Sequence, residues 1–146
     1  MKKLSEKVDP KVKALAKYLD CDPEDISEGY PSYGDFMTLE YGSEEYLVLT
    51  DEEADEACKE YVKDSVWAFN ASFIIQHSDL PWEAEEMIKG FQESKCEDAN
   101  ETILALITDF DEFVEDAISA DGRGHFLSGY DGDEVEDGDY FIYRVN

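Results

Sequence analysis

Positive charge is what this sequence has least of. Twelve lysines and arginines stand against 38 aspartates and glutamates, a formal net charge of −26 in 146 residues. A chain of that sign repels polyanions and has few groups that can displace counterions from phosphates. Direct binding to DNA, RNA or an anionic membrane surface is disfavoured; basic proteins and cations are the natural partners. Cysteine and histidine are also scarce. Cys21, Cys58 and Cys96 are odd in number, widely spaced and form no Cys-x-x-Cys pair, and there are two histidines. A structural zinc site is disfavoured, and the thiols are expected to be small buried groups in a reducing cytosol. No apolar run approaches a membrane span, and Met1-Lys2-Lys3 leads into no apolar signal segment, so a cytoplasmic location is expected. Asn70-Ala71-Ser72 and Asn100-Glu101-Thr102 match the glycosylation pattern, read here as chance without a signal peptide. Also missing are a Gly-rich phosphate loop, a His-Glu-x-x-His pair and a dinucleotide fingerprint. No catalytic site, no cofactor and no metal are expected.

Apolar material, by contrast, is sufficient. Hydrophobic residues make up 42% and aromatics 13%, enough to build an ordered core despite the acidity. The length suits a single domain over 1–146, with no repeat or linker. Charge is unevenly placed. Lys2, Lys3, Lys7, Lys11, Lys13 and Lys17 face only Glu6 and Asp9, so the chain opens on a short lysine-rich helix and the remainder is more acidic than the total implies.

Val12, Leu15, Ala16 and Leu19 recur at helical spacing behind Pro10. Asp22 is expected to cap a helical turn through Ile26, and Gly29 to Gly34 to form a loop. Phe36–Tyr41 and Glu45–Leu49 read as a hairpin turning at Gly42-Ser43, and Tyr140–Val145 as a last strand pairing with it. Thr50 and Glu53 make a capping box opening a helix to about Phe73. Further helices are expected over Trp82–Phe91 and, longest of all, Asp98–Ile118, with a Gly- and Asp-rich loop from Asp121 to Asp139. The predicted fold is α+β: a small antiparallel sheet, hairpin plus C-terminal strand, packed with three or four helices. Ile103, Ile107, Phe110, Val114, Val62, Phe69 and Tyr46 are expected to be buried and close together, and Trp67, Phe69, Phe73 and Trp82 to be core rather than a stacking platform.

Three segments carry a resemblance: Glu45 to Ala54, Trp67-Ala68-Phe69-Asn70-Ala71, and Gly122 to Ser128 with Tyr130-Asp131-Gly132. Together they resemble small acidic proteins carried by phages and prophages, over most of the chain from Glu45 onward. The resemblance implies a mobile-element origin and, by analogy, an inhibitor of host defence, some of which imitate DNA. It assigns no catalytic residue.

The residues themselves offer three features. The acids Glu52, Glu56 and Glu60 form one helical stripe, and Asp109, Glu112 and Asp116 another with Asp111 and Glu115 beside it. A four-residue step rises about 6 Å, of the order of phosphate spacing, so a basic groove built for phosphates can accept such rows. The alternatives are a solvated face that serves solubility, or adaptation to high salt; the latter is opposed by ten lysines to two arginines. The second feature is the loop from Asp121 to Asp131, where Arg123, His125, Tyr130 and Asp131 can seat an anion or serve the fold by pairing Arg123 with acids. Ser128, His125 and Asp121 lack a nucleophile elbow, which argues against a triad. The third, Asp131 to Asp139, imitates a calcium loop but places Val135 where an oxygen ligand belongs and has the wrong glycine spacing, which leaves weak cation binding open rather than a true calcium loop. The expectation is a non-catalytic inhibitor of a basic nucleic-acid-binding host protein such as a restriction or CRISPR effector. Two rivals stand beside it: an accessory protein-binding module using a hydrophobic or loop surface, and a small enzyme using the 121–131 loop. Homodimerisation, which would lengthen a charge row, stays open.

Overall fold

The computed structural model describes residues 8–146, so Lys2, Lys3, Glu6 and Lys7 lie outside the described residues. The chain divides into two compact units, one of residues up to Cys58 together with Asp121–Asn146, the other Lys59–Ala120.

The first unit is α+β. Helix α1 (Pro10–Leu19) starts where the Asp9 carboxylate accepts the Lys11 N–H, with Pro10 in the first turn, and ends at Asp20 in the left-handed region. Pro23–Asp25 forms a 3-10 turn closed by the Asp25 N–H to the Asp22 carbonyl; the Asp22 side chain caps nothing, contrary to expectation. A five-stranded antiparallel sheet runs β1 (Ile26–Ser32), β2 (Phe36–Tyr41), β3 (Glu44–Leu49), β5 (Tyr140–Arg144), β4 (Val135–Asp137) in spatial order. The hairpin and last strand stand as expected, with Leu39 opposite Tyr46 and Val48 opposite Ile142. These four side chains and Leu15 of α1 form the unit's core, because alternate positions on a pleated strand share a face.

The two edge strands were not expected. β1 occupies the predicted Gly29–Gly34 loop. Its register shifts between Glu28 and Pro31, and the Thr38 hydroxyl compensates by accepting the Tyr30 N–H at 2.9 Å and donating to the Tyr30 carbonyl at 3.1 Å. A side chain at Gly29 would strike that hydroxyl at 2.2 Å. Proline and glycine are thus accommodated at a sheet edge, where a missing donor costs little.

Helix α2 (Asp51–Ser65) opens on the predicted capping box: the Thr50 N–H donates to Glu53 Oε1 at 2.9 Å and the Glu53 N–H to Thr50 Oγ1 at 3.2 Å. It stops eight residues short of Phe73. A 3-10 turn at Val66–Ala68 follows, then α3 (Ala71–Gln76) capped by Asn70. The stop is set from afar. Asn100 accepts the Trp67 N–H and donates to the Lys63 carbonyl, while Gln92 donates to the carbonyls of Trp67 and Phe69. These partners satisfy the backbone groups that a helix end exposes.

The second unit continues with a 3-10 turn at Trp82–Ala84, α4 (Glu85–Lys95), α5 (Asn100–Leu106) and α6 (Phe110–Asp121). α4 runs through Gly90, where no atom approaches the missing Cβ, to Lys95. The helix expected over Asp98–Ile118 is broken at Ile107, whose ψ of 121° is extended. Thr108 donates its N–H and hydroxyl to the His77 carbonyl, and Asp109 accepts the Glu112 N–H to start α6 afresh. The break shifts the apolar phase. Phe113, not among the residues expected to be buried, is fully buried against Phe69 and Phe73, while Phe110 is half-buried. Val62, Ile103, Ile107 and Val114 are buried as expected; Tyr46 belongs to the other unit's core. Trp82 is not core: it is 61% exposed.

Candidate functional site

The acids are displayed rather than buried. Among the described residues the buried polar side chains are Thr38, His77 and Ser128, and no aspartate or glutamate joins them. Along α2, Glu52 and Glu56 are exposed and Glu60 half-buried at one-turn intervals, and none forms an ion pair with a described residue. The second row is partly spent. Asp111 pairs with Lys59 at 2.7 Å, Asp116 faces His77 at 3.1 Å, and Asp109 caps α6. Glu112 and Glu115 remain exposed on α6. Most described cations are held by acids: Lys11 by Glu53, Lys17 by Asp137, Lys89 by Glu85, Arg123 by three carboxylates.

The 121–131 loop is partly helical, with α7 over Arg123–Leu127. Arg123 is not aimed at a ligand. Its Nε donates to Glu134 at 2.8 Å, and Nη1 reaches Asp51 Oδ1 at 2.9 Å, the Asp51 carbonyl at 3.0 Å and Asp55 at 3.1 Å. The guanidinium also lies over the Phe141 ring. It therefore ties the loop to the first turn of α2, and its pKa is raised further: burial pulls it down, but the Glu134 and Asp51 bonds outweigh that. Glu134 also accepts from the Tyr143 hydroxyl, whose pKa is driven up by burial and then by that carboxylate.

The other loop residues serve different partners. His125 is exposed, its ring edge-on to Phe126. Tyr130 lies under the Arg144 guanidinium, 3.6 Å from its ring centre. Asp131 is held below its usual pKa by the Asp133 N–H and the Ser128 hydroxyl. Ser128 is buried between Asp131 and the Arg144 carbonyl, and the structure gives it no bond to His125. Tyr130, Asp131 and Arg144 line a cleft of about 370 Å³ with Tyr18, Tyr46 and Asp133. The region resembling a calcium loop is interrupted by strand β4 at Val135. Of the thiols only Cys58 is buried, where loss of solvent pushes it up to about 12; Cys21 is half-buried and Cys96 exposed, correcting the expectation of three buried groups.

Sequence reasoning missed His77, Glu134, Tyr143 and Arg144. His77 lies among Phe73 and Phe113, with Glu112 and Asp116 near its ring. The Asp109-x-x-Glu112 spacing, a helix start, was the available signal that the acids of α6 begin a fresh helix. Among the described residues no helix is long and apolar enough to cross a membrane. No protein-family model matches the chain, and no curated protein or solved structure matches it either.

Proposed function

We propose that the chain is a non-catalytic acidic inhibitor that binds a basic, nucleic-acid-handling protein of a bacterial host, with surface carboxylates standing in for phosphates. The observation that carries this reading is the row Glu52, Glu56, Glu60 on α2, which has no ion pair with a described residue while neighbouring acids on the same helix are used internally. Acids at one-turn intervals that no described cation pairs with are available to a partner. The row rises about 6 Å per step, which suits a groove lined by lysine and arginine. The resemblance to phage-borne acidic proteins directs the proposal to defence enzymes such as restriction or CRISPR effectors. A second copy of the chain would lengthen the row.

One observation favours a second reading. Trp82 and Met87 are 61% and 64% exposed, large apolar side chains that a protein partner can cover. In that reading the chain is an accessory binding module and its charge serves solubility. Binding measured across salt separates the two: a carboxylate row loses affinity steeply as screening rises, and an apolar anchor does not. Replacing Glu52, Glu56 and Glu60 by glutamine weakens binding in the first reading; replacing Trp82 by serine weakens it in the second.

A further inference from the structure

We propose that His77, Glu112 and Asp116 form a binding site for one divalent transition-metal ion, with zinc the best match. Among the described residues this trio brings an imidazole nitrogen and two carboxylate oxygens within 4.8 Å of one another. Acidic residues in proximity are common in so acidic a chain, and the histidine is what distinguishes this group. Its side chain is 7% exposed, and its Nε2 is shut off from solvent without a hydrogen-bond partner. Asp116 Oδ2 lies 3.1 Å from that nitrogen, close enough for an ion pair yet without the alignment of a hydrogen bond. A buried ring nitrogen left in this way is costly unless something else binds it.

The spacing suits a shared ion. Nitrogen and oxygen donors sit about 2.0–2.2 Å from zinc, which separates neighbouring donors by about 3.0–3.5 Å. His77 and Asp116 already stand at that separation. Glu112 is one turn before Asp116 on α6, so both carboxylates leave the same face, and its exposed side chain has the freedom to close in. The framework is braced. Phe73 and Phe113 flank the imidazole at 5.0 and 5.2 Å between ring centres. Thr108 holds the His77 carbonyl with two hydrogen bonds, and the next residue, Asp109, caps the helix that carries both acids. One dipeptide therefore sets the histidine against the carboxylates. An imidazole with two carboxylates selects a transition ion over magnesium or calcium, which prefer all-oxygen shells. Three protein donors leave a coordination position to water.

The test is zinc binding by calorimetry on the full chain carrying Cys21→Ser and Cys96→Ser, to remove accessible thiols, in excess calcium, to occupy the general acidic surface. One zinc per chain is expected, and Asp116→Asn and Glu112→Gln should each weaken it about tenfold or more. His77→Phe, which keeps a ring between Phe73 and Phe113, should abolish it, while Glu101→Gln, an exposed acid outside the trio, leaves it unchanged. Absence of a stoichiometric site under excess calcium overturns the proposal. So does a site that survives both Asp116→Asn and His77→Phe; in that case the zinc is held elsewhere on the acidic surface.

Discussion

Replacing Arg123 by alanine removes the hub that joins the 121–134 loop to helix α2. The guanidinium is 11% exposed and engages Glu134, Asp51 and Asp55 at 2.8 to 3.1 Å, but the acids are unequal: Asp51 and Asp55 are 74% and 61% exposed, Glu134 only 30%. Solvent discounts the first two to about 0.2–1 kcal/mol each. The shielded bond to Glu134 is charge-assisted and contributes about 1.5–3 kcal/mol. The loss is therefore about 2–5 kcal/mol, overlapping what breaking a buried pair costs. At roughly 3 °C per kcal/mol for a chain of this size, Tm falls by about 6–15 °C. Thermal and urea melting of Arg123→Ala, Arg123→Lys and Glu134→Gln measure this, with lysine recovering only part of the loss because it cannot reproduce the fork. Partner binding per folded molecule should be unchanged. An Arg123→Ala protein that melts within about 1 °C of the parent would refute the network, and one that melts normally but no longer binds its partner would make the loop a working site.

Asn100→Ala should destabilise by about 1–3 kcal/mol in urea melts, because it orphans the Trp67 N–H and the Lys63 carbonyl at the end of α2; a neutral result would mean that α2 ends there for another reason. Gly124→Ala should cost more than most surface changes, since its new Cβ would lie 2.4 Å from the Gly132 carbonyl oxygen and force two backbone segments apart. Stability should fall at both ends of the pH scale. Glu53, pushed up by burial but lowered overall by Lys11 and Thr50, and Asp131, lowered by the Asp133 N–H, both favour the fold above their unfolded values of 4.5 and 3.8 and cease to as pH drops below them. Cys58, held to about 12 by burial, stays protonated in the fold while the unfolded thiol ionises from 9.0, so stability also falls as pH rises from about 9 to 12; urea midpoints across pH that stay flat over that alkaline window would contradict its burial.

The parts of the fold legible in the sequence were those written in neighbouring residues. The Thr50–Glu53 box, the Gly42 turn and the alternation through Tyr46 and Val48 are local patterns, and each stands as read. What was missed depends on residues far along the chain. Asn100 ends α2 from 33 residues beyond Trp67, and His77 breaks the expected 98–118 helix through Thr108. Period alone cannot see such partners, so one long helix was read where two form. β1 hid behind Gly29 and Pro31, residues that mark loops but are tolerated at a sheet edge. In the candidate site, pairing of Arg123 with acids was one of the two readings the sequence offered, and the geometry shows that pairing. The two acidic rows looked equivalent in sequence and are not, because Lys59 and His77 engage Asp111 and Asp116 while the α2 row has no ion pair with a described residue.

Carboxylates of α2 that stand in for phosphates, as proposed, must compete with nucleic acid and yield to salt. The most direct measurement is capture of partners from bacterial lysate on the immobilised chain, followed by separate elution with duplex DNA and with salt near 1 M, where screening shortens to about 3 Å. A Glu52→Gln, Glu56→Gln, Glu60→Gln protein run in parallel supplies the control. Basic nucleic-acid-binding proteins are expected, released by both eluents and not retained by the control. Partners that hold through salt and DNA, or that bind the control equally well, would contradict it.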